Sequence, residues 1–201
     1  FSLKPSYTKT LRAELIQGKK FDSIQELQEF KPGMDLGKFL LTKLQQYEGR
    51  LLSDIGEELG VPIKGGKASN AGFIRKMLGF TSTNTHIKEI AECGITLRVV
   101  PVNPANGKLW EAVSFPHQTL AEILEEEHFE SSALCAATES LLIVPIYRGR
   151  ISKDKEARLG RAHFWEPDNE SLLALMNEWA LCQSRIQTAV KAGRLNLILP
   201  S

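Results

Sequence analysis

The sequence predicts an α/β domain, a mixed sheet flanked by helices. Three observations lead there. Apolar residues recur at helical spacing through the first half, as in Leu36, Phe39, Leu40, Leu44 and Tyr47. From residue 95 the pattern turns to β, beginning with "ITLRVVPV" (95–102). "SLLIVPIY" (140–147) is a continuous apolar run, as expected of a strand buried on both faces.

In chain order, residues 1–34 read as a lead-in, with a short helix expected over Tyr7 to Ile16. Ser23-Ile24-Gln25-Glu26 has the spacing of a capping box opening a helix that ends near Phe30, before Pro32-Gly33. Asp35 to Leu59 predicts two helices, the second continued by Leu51, Leu52, Ile55 and Leu59 and capped by Gly60. "VPIKGGKASNAG" (61–72) reads as a polar loop, followed by a helix from Phe73 to Leu78. "ITLRVVPV" and "LWEAVSF" are expected to be strands joined by a hairpin at Asn106-Gly107. "LAEILEEE" (120–127) reads as helix, and "RAHFWE" (161–166) as a partner for the 140–147 strand. Leu172, Leu175, Met176, Trp179, Ile186 and Val190 mark a long amphipathic helix ended by Gly193, before a last strand in "LNLIL".

The chain has 201 residues, enough for one large domain with its own core. Its net charge of +1 argues against nucleic-acid binding over the whole surface but allows a local basic patch. Cys93, Cys135 and Cys182 are scattered and odd in number, which argues against a disulfide framework and for a reducing, cytoplasmic setting. The longest apolar runs are far too short to span a bilayer. The opening on Phe1 instead of Met is read as the sign of a fragment of a longer protein.

Hydrolytic metal centres need at least two hard oxygen ligands. Glu89, ahead of the first strand, offers one acid. Alternation puts Thr96 and Arg98 together on one face of that strand, but Thr96 carries no charge and Arg98 stays a cation. A catalytic Mg²⁺ site is not expected, and the plain reading makes both of them solvent-side strand residues. Residues 51–79 resemble a helix-turn-helix with Arg75 and Lys76 on the second helix, although the loop is long for that motif. "YRGRISKDKEARLGRA" (147–162) is the densest basic segment, with Arg148, Arg150, Lys153, Lys155, Arg158 and Arg161 against Asp154 and Glu156. It reads either as phosphate-contacting or as a solvated loop. His86, His117, His128 and His163 have no metal-ligand spacing, and "EEEHFE" (125–130) reads as a solvated helix face.

The order of these pieces resembles the MutH family, Mg²⁺-dependent endonucleases that recognise GATC. The resemblance runs over about residues 35–195. "LLSDIGEELGVPIKGGKASNAGFIRKMLG" is similar to the family's paired helices and its G-x-x-x-x-L-E-x-x-L-G helix. "ECGITLRVVPVNPANGKLWE" is similar to its "LG-V-E-L-K-x-x-P" strand and hairpin, and "LLIVPI" with "HFWEP" to its later strand pair. The resemblance implies the restriction-endonuclease-like fold, the MutH type of the PD-(D/E)xK class. The departures fall on the positions of catalysis. Arg75 stands at the family's helix glutamate, Glu89 at its first aspartate, Thr96 and Arg98 at its strand glutamate and lysine. A further lysine falls near Glu139 or Ser140.

Some GATC-cutting enzymes of this family carry two such halves, the second degenerate and bound to another copy of the site. "FSLKPSYTKTL" resembles the junction into that half. The resemblance therefore implies a non-catalytic, DNA-binding effector domain over 35–201, truncated at its C-terminal end, with 1–34 leading in from a catalytic half that would hold the Mg²⁺. No cofactor or metal is expected in this domain. Its expected partners are double-stranded GATC DNA and the N-terminal catalytic half. The expected DNA-binding residues are Lys64, Lys67, Asn70, Arg75 and Arg98 near a cleft, and Arg148, Arg150, Lys153, Lys155 and Arg158 on phosphates. An active Mg²⁺ nuclease using Glu89, a helix-turn-helix regulator, and an interaction domain without DNA affinity remain as alternatives.

Overall fold

The computed structural model describes residues 21–61, 67–80, 87–113, 118–150 and 156–193, with the backbone alone for 67–71. Among the described residues, four strands form one mixed sheet around β2 (Ser140–Tyr147). β1 (Ile95–Val102) runs parallel to it, from Ile95 opposite Ser140 to Val102 opposite Tyr147. On the other side, β3 (Arg158–Leu159) pairs antiparallel with the end of β2, and β4 (His163–Trp165) with its beginning.

Strand alternation divides the side chains between two faces. Leu97 and Val99 of β1, Leu142, Val144 and Ile146 of β2, Leu159 of β3 and Phe164 of β4 face the main core. The core is completed by helices α1 (Leu36–Gln45), α2 (Leu52–Glu58), α3 (Lys67–Met77) and α4 (Lys88–Glu92). Leu40, Ile55, Ile74, Leu78 and Leu142 are each 0% exposed. Burial of such a side chain stabilises by about 1.5–3 kcal/mol. The opposite face carries Thr96, Arg98, Val100 and Val102 of β1, and Leu141, Ile143, Pro145 and Tyr147 of β2. Arg158 and His163 extend it as the register partners of Tyr147 and Ile143.

The helices α5 (Leu120–Glu125), α6 (Ala133–Thr138) and α7 (Asn169–Lys191) follow the first strand. The Glu126 carboxylate ties them together. It accepts from the Gln118 amide at 2.6 Å, from the Ala133 N–H at the start of α6 at 2.8 Å and from the Trp179 indole on α7 at 2.9 Å. "EEEHFE" is therefore only partly a solvated face.

Several expectations are corrected. The helix expected after Ser23 is a 3₁₀ turn, Ile24–Glu26. Ile24 of the lead-in is 0% exposed and packs within the same core. α3 begins at Lys67, inside the stretch read as loop. The turn at Asn106-Gly107 forms, with Gly107 at φ +69°, but among the described residues "LWEAVSF" contributes a bridge between Val102 and Leu109 and no named strand. The helix expected over Tyr7–Ile16 and the strand in "LNLIL" lie outside the described residues.

Candidate nucleic-acid interface

Of the residues that the resemblance sets at the family's catalytic positions, Glu89 is the most firmly placed. It lies on α4, 9% exposed. One carboxylate oxygen accepts from the Ser23 hydroxyl and the other from the Ile24 N–H at 2.8 Å. The neighbouring N–H of Lys88 donates to the Asp22 carbonyl, and Asp22 bridges to Ile87. Glu89 thus caps the 3₁₀ turn from far along the chain, where the local pattern pointed to Glu26.

Arg75, expected near DNA, is instead 7% exposed on α3 and ion-paired with the Asp22 carboxylate. Its guanidinium also lies 5.7 Å from the centre of the Phe80 ring. The reason is the amphipathic period of α3, which turns Phe73, Ile74 and Met77 into the core and takes Arg75 with them into the contact with the lead-in. Lys76, the other cation named on this helix, is half-buried.

Thr96 and Arg98 do share a face, as alternation requires, and both are half-buried instead of solvent-side. Burial lowers the pKa of Arg98 from its ordinary value. The residues present do not fit a divalent cation. Both Glu89 oxygens already accept hydrogen bonds, Thr96 is neutral and Arg98 is a cation that would repel the metal. Among the described residues, no group of three or more His, Cys, Asp or Glu side chains is arranged to hold a metal ion. A cleft of about 470 Å³ opens at the starts of β1 and β2, between Asp35, Gly37, Cys93, Glu139, Phe164 and Glu166. Its carboxylates make it unsuited to phosphate.

The basic residues gather at the other end of the strands. Arg148 follows β2 directly, and its guanidinium donates to the carbonyls of Gly149 at 2.9 Å and Arg150 at 3.1 Å, fixing the turn. The Trp110 indole donates to the Arg148 carbonyl at 2.8 Å and anchors the 103–110 hairpin beside it, bringing exposed Lys108 to the same end. Arg150 and Arg158 are exposed, and Arg158 donates to the Gly49 carbonyl at 3.0 Å. Arg98 lies on the same face as Arg158, four residues before the end of β1 and so about 13 Å along the strand. Lys64, Lys153 and Lys155 lie outside the described residues, and of Lys67 and Asn70 only the helical backbone is described.

A model of the family described as "DNA mismatch repair enzyme MutH" matches residues 78–178, just over half of the chain, from the end of α3 into α7. The chain belongs to the MutH family. DNA mismatch repair protein MutH of Shewanella sp. (strain MR-7) is 24% identical over 144 residues, covering 70% of this chain and 64% of the relative. MutH of Haemophilus ducreyi is 24% identical over 165 residues, 79% of this chain and 70% of the relative. The chain thus spans 64% of the length of the Shewanella MutH it matches. The matched region takes in Glu89, Thr96, Arg98, Arg148 and Arg158, while Arg75 lies just before it.

Tyr147, the last residue of β2 and not among the expected DNA-binding residues, is exposed on the same face, immediately before Arg148-Gly149-Arg150.

Proposed function

We propose that this member of the MutH family binds duplex DNA at GATC without cutting it. In this reading it is the effector half of a two-part type II restriction endonuclease of the cytoplasm. The observation that carries the reading is the chemistry at the positions of catalysis. The acid that remains, Glu89, is spent on the 3₁₀ turn, and Arg98 stands where the resemblance expects a lysine beside a carboxylate. Exchanging anionic groups for neutral and cationic ones removes metal affinity and lowers repulsion toward phosphate. Arg98, Arg148, Arg150 and Arg158 are the proposed phosphate contacts within the described residues, with Lys64, Lys67, Asn70, Lys153 and Lys155 proposed beside them. The proposed partners are GATC DNA and a preceding catalytic half, with which Mg²⁺ would act. The effector domain then begins no later than Asp22, because Asp22, Ser23 and Ile24 are joined to α3 and α4. Binding counts as allosteric if DNA prefers one of two states of the whole enzyme.

The test is fluorescence anisotropy of the chain with a GATC duplex and a scrambled duplex, across salt, with and without Mg²⁺, followed by a gel. Binding that weakens with salt, prefers GATC, ignores Mg²⁺ and leaves the DNA intact supports the proposal. Removing one phosphate-binding arginine should then reduce the salt slope by about one unit. Cleavage abolished by Glu89→Gln would establish an active nuclease instead. Absence of binding at low salt would leave an interaction domain.

A further inference from the structure

We infer that Tyr147 is a stacking platform for an unpaired nucleobase, so that the basic end of the sheet takes single-stranded or locally opened DNA as well as duplex. The inference rests on the DNA-binding reading above and names a further ligand of that surface. Tyr147 ends β2 on the face opposite the main core and remains 39% exposed. Its ring is laid against backbone. A Cβ placed on Gly160 would lie 2.6 Å from Tyr147 Cε2, 3.1 Å from its Cδ2 and 2.9 Å from Pro145 Cβ. Gly160 is itself fixed by its N–H donating to the Pro145 carbonyl at 2.8 Å. The ring therefore rests on a rigid strand edge with little freedom left to lose on binding, while part of it stays open to solvent.

The surroundings supply the charge that such a ligand needs. Arg158 is the register partner of Tyr147 across the strand pair, and Arg148 and Arg150 follow it in the chain. A ring among cations suits a base flanked by phosphates, because every base has a π-face and every linkage a negative charge. A purely aliphatic partner would leave these guanidinium groups without anions, and a stacked duplex offers the ring no exposed base face except at its ends.

The experiment compares a short fluorescein-labelled single strand with its duplex by anisotropy, for the full chain and for Tyr147→Ala, Tyr147→Phe and Tyr147→Trp. Thermal melts confirm that each variant is folded. Loss of stacking should weaken single-strand binding about tenfold in Tyr147→Ala, with phenylalanine and tryptophan restoring it. Duplex affinity should change by less than about twofold, since phosphate contacts dominate it. A 2-aminopurine base in the single strand should report stacking through quenching that the alanine variant loses. Equal weakening on both DNAs, or no change on either while the chain still binds duplex, overturns the platform and leaves the proposed function standing. Failure of the unaltered chain to bind either DNA overturns both.

Discussion

A methyl group at position 160 has nowhere to go. Tyr147 Cε2 and Pro145 Cβ would meet it at 2.6 and 2.9 Å, and the second contact belongs to a strand that cannot retreat. Gly160→Ala should cost about 1–3 kcal/mol, typical of overpacking, read as a fall in the unfolding midpoint. Tyr147→Ala should recover only part of that loss, since Pro145 stays; full recovery in a double-mutant cycle would put all the strain on the ring. Glu89 makes the complementary point at the same scale. Its carboxylate holds Ser23 and Ile24, so Glu89→Gln should lower stability by about 1–2 kcal/mol while leaving DNA affinity unchanged. A loss of DNA binding with unaltered stability would contradict the capping role. Glu89 was visible in the sequence as an acid before a strand, but its partners were not. They lie more than sixty residues earlier, beyond any local pattern, and Glu89 takes the capping place that spacing suggested for Glu26.

At the scale of elements, what could be read depended on how the element is held. α1 and β2 are secured by burial, and helical periodicity marked the first as a continuous apolar run marked the second. The segment after the Asn106-Gly107 turn is secured differently. A bridge at Leu109, the Trp110 N–H donating to the Pro101 carbonyl at 3.0 Å and the Trp110 indole hold it, and no named strand forms there among the described residues. Likewise Glu126 sits between Glu125 and Glu127 in a run of acids that looks solvated, and only the tertiary arrangement turns it toward Gln118, Ala133 and Trp179. α7 gives a case in which local chemistry suffices. Asp168 caps it, accepting from the Ser171 N–H at 2.8 Å, and that hydrogen bond lowers the Asp168 pKa from its ordinary value. A carboxylate depressed in the folded state contributes stability above its unfolded pKa, about 3.9, and that contribution is lost as pH falls through the folded value. Asp168→Asn keeps a capping side chain but removes the charge. Its melting temperature should fall below that of the unaltered chain at neutral pH, and the gap should close in acid. A gap independent of pH would mean that the charge plays no part in the cap.

For the whole molecule, the decisive joint lies between the lead-in and the helices at the catalytic positions. Composition and Pro32-Gly33 suggested a boundary at residue 34, because a break in pattern looks the same whether or not the preceding segment is packed. Ile24 is fully buried among the core residues, Asp22 faces Arg75, and the Asp22 carbonyl accepts from Lys88 at 2.8 Å. The residues standing where the resemblance expects a helix glutamate and a first aspartate, Arg75 and Glu89, are thus both spoken for by residues 22–24. A chain starting at Asp35 should lose cooperative unfolding or melt far lower, since it gives up a core isoleucine, worth about 2–5 kcal/mol, and the carboxylate facing a buried guanidinium. Ile24→Ala and Asp22→Asn in the full chain divide that loss into its apolar and ionic parts. If the chain from Asp35 melts as the full chain does, residues 22–34 are a dispensable tether, and the domain begins where composition placed it. If it collapses, residues 22–34 belong to the folded domain, and the Asp22–Arg75 and Ser23–Glu89 contacts connect them directly to the two helices, α3 and α4, packed against β1.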